Sequence, residues 1–301
     1  MNYKSILIIS DIEGSSCCWS YRSSSFMTKE WRQACIGMTQ DVNEVVKGLF
    51  DAGVERIIIK DFHRTGYNIL PERIDPRAKV ISGYRRGPVP GIGDPEDTEA
   101  ILFLGMHAAS GTEGFLAHTL TSRLRRLEVN GKPMSEVALF SASLSPYRLK
   151  PIFFSGCPVA CEQARAAIRM IHVYPIDKSP GPENFDADSW RSGLVNAAVN
   201  ALSNFTTEPF KPVGPFNAVI TMREGERAAR KIARRWGFGY KDDQIFVDAD
   251  DIHELYSKLI KLCYLTPLIE ETVSLALFLY HLWGRIGLGW VRQGIQQETS
   301  Q

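Results

Sequence analysis

Two carboxylates two residues apart, Asp11 and Glu13, follow an apolar run and precede Gly14. Asp61-Phe62-His63 and Met106-His107 follow two further runs of the same kind. Mixed carboxylate and imidazole donors suit zinc, with manganese or cobalt as alternatives. At a strand end, a two-residue spacing sends both carboxylates off one face, so one segment can give a metal two oxygens or bridge two metals. Gly14 would let the backbone turn sharply away. Asp61 could orient a ligand instead of binding metal itself. A lone D-x-E after a strand is more often a helix cap or a solvated turn, and a lone strand-end histidine is seldom a ligand. Three such ends, using two of only six histidines, favour a metal centre. His118 follows a loop of small residues and could be a ligand or a general base, because imidazole titrates near neutral pH.

The elements that must position these groups are legible in the pattern. Residues 4–10 (KSILIIS), 56–60 (RIIIK) and 100–105 (AILFLG) are continuous aliphatic stretches, as buried parallel strands are. In an open α/β sheet, ligands bind in the crevice at the carboxyl ends of the strands. Residues 28–51 carry Val42, Val45, Val46, Leu49 and Phe50 at helical spacing, with Gly53 as a stop, completing a right-handed β-α-β unit. Residues 88–97 are a turn-rich loop, and Asn130-Gly131 is a hairpin turn after a strand at 127–129. Ser135 stands at a helix N-cap position with Glu136 in the first turn. Strands are expected at 150–155 and 172–176, with a helix at 159–170 between them. Residues 178–188 resemble a linker to a helix at 189–202, a strand at 217–221 and a basic helix at 224–236. The expected fold is α/β, a mainly parallel sheet flanked by helices, with a second smaller α/β unit and a C-terminal apolar helical extension. The corresponding division is residues 1–177 for metal binding, 178–266 for the substrate side and 267–301 for the extension.

Bulk properties exclude several classes. The 301 residues are 44% apolar and 23% charged, as globular chains are. The formal charge of +1 provides no field toward nucleic acid or an anionic membrane. The N-terminal apolar run is too short for a signal sequence and is interrupted by Asp11. Six cysteines match neither zinc-knuckle nor secreted disulfide spacings, so reduced thiols in a cytoplasm are expected. Residues 272–289 are strongly apolar but contain His281, Arg285 and three glycines, which favours a buried or subunit-contacting helix over a membrane span. Leu275, Leu277, Phe278, Leu282 and Ile286, widened by Leu279 and Trp283, form its stripe, and a homo-oligomer is expected.

The segments S-D-I-E-G (10–14), D-F-H (61–63), F-L-G-M-H-A (103–108), A-H-T-L (117–120) and N-G-K-P-M-S-E (130–136) resemble, in this order, the motifs of zinc-dependent D-aminopeptidases of the DppA type. The resemblance covers residues 5–175 and is loose beyond them. It implies a two-zinc site in which Asp11 bridges, Glu13, His63, His107 and Glu136 complete the shells, and His118 is the catalytic histidine. Glu136 rests on the resemblance alone, since a first-turn glutamate ordinarily complements the helix dipole. Hydrolysis of a small peptide or amide and assembly into a homo-oligomer are implied with it. The chain departs from the family at residues 138–142 (ALFSA), where a small-Asn-Ala segment is usual, and at Gly156-Cys157-Pro158, where an acidic pair is usual. It also continues past the usual family end near residue 266. Rival readings are a metal-dependent amidase acting on another small amide and a non-catalytic, metal-stabilised oligomeric binding protein.

Overall fold

In a computed structural model that describes residues 3–203 and 206–299, the first apolar run forms β1 (Ser5–Ser10). Thr28 caps α1 (Lys29–Asp51), its hydroxyl accepting from the Trp31 amide at 3.0 Å. Val42, Val45, Val46, Leu49 and Phe50 of the expected stripe are buried, and Gly53 turns the chain at φ +94° into β2 (Arg56–Asp61). β3 (Lys79–Ile81) and β4 (Ala100–Met106) follow. β5 (Leu124–Val129) and β6 (Lys132–Pro133) are joined by the Asn130-Gly131 turn, with both residues at the positive φ such a turn demands. The chain continues through α2 (Glu136–Leu144), β7 (Lys150–Gly156), α3 (Pro158–Ala167), β8 (His172–Pro175) and α4 (Ala187–Ala201). It ends in β9 (Phe216–Met222), α5 (Glu226–Trp236), β10 (Gly239–Lys241), β11 (Gln244–Ala249), α6 (Ile252–Tyr264), α7 (Pro267–Glu271) and α8 (Val273–Thr299).

Six strands make a parallel sheet in the order β3-β2-β1-β4-β7-β8. The chain builds outward from β1 on one side, then returns to place β4 on the other. The switch point therefore lies between β1 and β4, and a crevice opens at their carboxyl ends. A second, antiparallel sheet has the order β10-β11-β9-β5-β6. This sheet draws strands from both sides of residue 177, where the sequence suggested a boundary. An isolated hairpin is at best marginally stable, and β9 completes β5–β6 by pairing from Leu124↔Met222 to Val129↔Ala218. Helix α4, expected in the smaller unit, instead packs on α1. Arg191 reaches the buried Asp41 at 3.0 Å, and a Cβ on Gly48 would meet Val195 at 2.6 Å.

The C-terminal helix α8 lies back over α1. Trp290 stacks on Trp31 at 6.3 Å between ring centroids, and the Arg32 guanidinium sits 4.4 Å over Trp290. Arg292 pairs with Glu72 at 2.7 Å. Its opposite face leaves Leu275 59% and Phe278 62% exposed. Among the described residues, no helix is long and apolar enough to cross a membrane.

Candidate metal centre

The crevice at the switch point gathers the strand-end residues. The Asp11 amide donates to Leu104 O at 2.8 Å, and the Gly14 amide to Gly105 O at 2.7 Å, so the ends of β1 and β4 run in contact. Both glycines are required there: a Cβ on Gly14 would strike Met106 O, and one on Gly105, at φ +71°, would strike Asp11 O. Asp11 thus faces His107 across the switch point, its Oδ2 3.3 Å from His107 Nε2, while Glu13 Oε1 lies 3.4 Å from His63 Nε2 at the end of β2.

Glu136 arrives from another layer. It opens α2, where Ser135 makes no side-chain cap, and its Oε1 accepts from the Leu120 amide at 2.7 Å. Its Oε2 is thereby turned to His107 Nε2 at 3.5 Å. The loop between the two histidines folds back through the His118 amide, which donates to Ala108 O at 3.0 Å. The His118 ring stacks on His107, with centroids 3.8 Å apart and planes 12° from parallel.

Hydrogen bonds at Nδ1 fix the tautomer of all three histidines. His107 Nδ1 lies 3.1 Å from Ala108 O and His118 Nδ1 lies 2.9 Å from Leu116 O. A carbonyl oxygen only accepts, so each Nδ1 carries a proton. His63 Nδ1 contacts Asn68 Oδ1 at 3.1 Å. The Asn68 amide nitrogen donates to Asp61 Oδ1 at 2.8 Å and to His63 O at 2.7 Å, which leaves its oxygen to accept from His63 and from Trp31 Nε1 at 2.9 Å. Asp61 therefore orients His63 through Asn68 and not directly. In each neutral ring Nε2 keeps its lone pair for a metal.

The ligand atoms of Asp11, Glu13 and His63 lie within 4.8 Å of one another, and so do those of His107, His118 and Glu136. Asp11, in the first group and 3.3 Å from His107 of the second, stands between them. His118, expected to act on substrate, is close enough to join the second group. Unlike the other five residues it is only half-buried. Two buried atoms aimed into this cluster, Glu13 Oε2 and His107 Nε2, have no hydrogen-bond partner. An unmet polar atom of this kind costs about 1–3 kcal/mol, and a bound cation would satisfy both. The donor set therefore fits divalent metal.

The electrostatics agree. Burial and the neighbouring Glu13 charge push Asp11 up to about 7. Burial also opposes the charges on Glu13 and Glu136, yet His63 holds Glu13 well down and His107 lowers Glu136. Burial opposes protonation of the histidines as well, but Glu136 and Asp11 carry His107 well above the ordinary imidazole value, and Glu13 raises His63. Three packed carboxylates demand positive charge, and the imidazoles supply it where no cation does. His118 is lowered by burial and by the adjacent His107.

Above the cluster is a cavity of ≈ 690 Å³. Its floor is polar, and one wall is aromatic: Phe62, Tyr84, Tyr264 and Tyr280. Tyr84 and Tyr280 are stacked 6° from parallel, and the Tyr264 hydroxyl donates to Leu120 O, bracing the loop that carries His118. Sequence reasoning missed this wall and missed Asn68. The segment after His63 (RTGYNIL) holds no spacing or charge signal that singles out the asparagine.

A D-aminopeptidase family model matches residues 5–259. A D-aminopeptidase from Bacillus subtilis (strain 168) is 27% identical over 132 residues, 44% of this chain. That alignment spans 48% of the relative, about half its length. Among solved structures, the Zn-dependent D-aminopeptidase DppA from Bacillus subtilis, a self-compartmentalizing protease, matches with a TM-score of 0.77. The match covers 86% of this chain and 96% of that one at 20% identity, a likeness of fold.

Proposed function

The chain belongs to the D-aminopeptidase family, and from that premise we propose that it is a metal-dependent aminopeptidase releasing N-terminal residues from short peptides or amino-acid amides. The observation that carries this reading is the pair of ligand groups, with Asp11 of one 3.3 Å from His107 of the other, on the floor of a cavity large enough for a peptide. Asp11, Glu13, His63, His107 and Glu136 would hold two divalent ions, Asp11 between them, and imidazole with carboxylate favours zinc. Such a pair, when bound, acidifies water and polarises a carbonyl.

The remaining work falls to the chain's own groups. His118 is anchored through Nδ1 on Leu116 O, so Nε2 is the atom that takes a proton and returns it to the leaving amine. Its incompletely buried position on the cavity lining supports this role over that of a sixth ligand. Asn68, held by Asp61 and Trp31, keeps His63 in register. The aromatic wall excludes water from one side of the reacting amide. The ends of the parallel strands thus supply Asp11, Glu13, His63 and His107, the loop after β4 and the start of α2 add His118 and Glu136, and the C-terminal helices shape the substrate side.

We place the protein in a reducing cytoplasm, which six free cysteines support. The exposed apolar face of α8 supports a homo-oligomer. Phe278→Glu with Leu282→Glu should then lower the mass seen by light scattering. The function is tested on the metal-loaded protein with D- and L-aminoacyl amides and their N-acetylated forms. Cleavage of free D-aminoacyl amides alone is expected. Equal cleavage of blocked amides would replace the aminopeptidase with an amidase, for which the departure at Gly156-Cys157-Pro158 gives a motive.

A further inference from the structure

A second cavity, of ≈ 670 Å³, lies behind the aromatic wall. It shares Phe62, Tyr84, Tyr264 and Tyr280 with the metal cavity, so the two spaces meet at these four rings. Its interior is lined by Ile260, Leu265, Ile269, Val273, Ala276 and Leu277. All six lie beyond residue 259, where the family match ends. No carboxylate lines it among the described residues, and its polar residues are largely engaged elsewhere. Arg86 donates to Ser274 Oγ at 3.0 Å, Arg85 to Ser82 O at 3.2 Å, and Lys261 pairs with Glu270 at 2.7 Å. An apolar cavity of this size, adjoining the metal cavity at four shared rings, is suited to an apolar group of a ligand.

Helix α8 serves two surfaces. Val273, Ala276, Leu277 and Tyr280 turn to the cavity, whereas Leu275, Phe278, Leu279, Leu282 and Ile286 turn to solvent. The second face is the one a neighbouring subunit would cover, while the first lines the cavity. The helix is also fixed in place there: the Tyr67 hydroxyl meets His281 Nδ1 at 3.0 Å, and Gly284 lets the helix close onto the Tyr67 ring.

We propose that this cavity is a substrate subsite, and that the C-terminal helices make the enzyme selective for amides carrying a long apolar substituent next to the scissile bond. The proposal rests on the metal-dependent hydrolase reading and names its substrate class. The volume exceeds what a small side chain fills, so an extended aliphatic or large aromatic group is the occupant. Each methylene that enters should tighten binding about fourfold.

The test is calorimetric titration of the metal-loaded protein with straight-chain hydroxamates from acetohydroxamate to octanohydroxamate. Kd should fall about fourfold per methylene, and Ala276→Trp, which puts an indole into the cavity in the path of the chain, should flatten the series. A flat series with the unmodified protein overturns the subsite and leaves the cavity to protein contacts. A slope that survives in folded Ala276→Trp also overturns it. The unmodified series decides by itself if that variant does not fold. Two amide series then identify the source of the apolar group: 2-amino acid amides from alanine to 2-aminodecanoic acid, and N-acylated alanine amides of rising chain length. A rise in kcat/KM with length in either series supports the subsite, and the series that shows it identifies the group. A hydroxamate slope without hydrolysis of any amide would sink the enzymatic reading while the subsite stands. Hydrolysis without any slope would sink the subsite alone.

Discussion

The floor of the metal cavity is polar, largely buried and drawn from residues 11–136, whereas the aromatic wall takes Tyr264 and Tyr280 from the end of α6 and from α8 and leaves them 39% and 36% exposed. The floor residues are held by partners that are themselves held: Leu120 N on Glu136, Asn68 on His63, Asp61 on Asn68. Leaving a buried charge without its partner costs several kcal/mol, so each floor position is determined many times over. The wall residues instead exchange apolar area with solvent at about 25 cal/mol per Å², a cost that grows gradually with area. Fixed polar geometry suits a reaction that must not vary. A graded apolar surface suits a substrate range that can. On this division, damage to the floor should abolish chemistry, and damage to the wall should redistribute substrates.

The largest effect is expected at Asp11, the one residue between the two ligand groups. Asp11→Ala should lower metal content from about two ions per chain to none and abolish activity with it, measured by elemental analysis of the purified protein. About one ion per chain in the parent, unchanged in the variant, would end the dinuclear reading. The next effect separates chemistry from ligation. His118→Ala should keep its metal and lose about two to four orders of magnitude in kcat. If metal leaves with activity, His118 is a ligand completing the group with His107 and Glu136, and the floor has six holding residues.

The floor was more legible in the sequence than the wall, for a physical reason. Buried parallel strands must be apolar throughout, so Asp11, His63 and His107 stand out where β1, β2 and β4 end. Glu136 has no such signal. Its carboxylate reaches the site only because β5 and β6 dock on β9 and set α2 beside the switch point, a tertiary event that spacing does not encode. Family resemblance supplied it. The same docking explains why a cut at residue 177 divides the antiparallel sheet; the helix at Ala187–Ala201 packs on α1 through its own contacts, Arg191 with Asp41 among them. Tyr84 is far in sequence from Tyr264 and Tyr280, all three are ordinary in type, and only the placement of α6 and α8 beside Tyr84 brings them together.

A smaller effect tests how far the floor depends on its supports. Asn68→Ala removes the acceptor of His63 Nδ1–H and Trp31 Nε1–H and both donors to Asp61 and His63 O. Loss of such a support typically weakens metal affinity about 10–100-fold. Competition with a chromogenic chelator measures it. Unchanged affinity would show that Asp11, Glu13 and His63 hold their geometry without the network, and that the floor is less over-determined than its hydrogen bonds indicate.

The smallest expected effect concerns what stands behind the wall. Lys60, on β2, is fully buried and donates to Gly83 O, with its ammonium 6.0 Å over the Tyr84 ring. Burial lowers it from 10.5 to about 7. Between those values the unfolded chain holds a proton that the folded chain has released. Unfolding therefore takes up a proton, and stability rises with pH through this window. Below about 7 both states are protonated, and the cost of burying the charge is fully present. From pH 7 to pH 9 the rise should be about 2 kcal/mol, since each pH unit contributes at most about 1.4 kcal/mol and the first is only partly realised near the folded value. Lys60→Met should abolish the rise, seen as the difference between urea midpoints of the two proteins at each pH. The unmet Gly83 O adds a penalty of about 1–3 kcal/mol that does not vary with pH, so the slope and not the offset carries the information. Because Lys60 touches the wall's support and not the floor, metal content and kcat on the smallest amide should change far less than in Asn68→Ala. A loss of metal in Lys60→Met would mean that floor and wall are one mechanical unit, and the division drawn between them would fail.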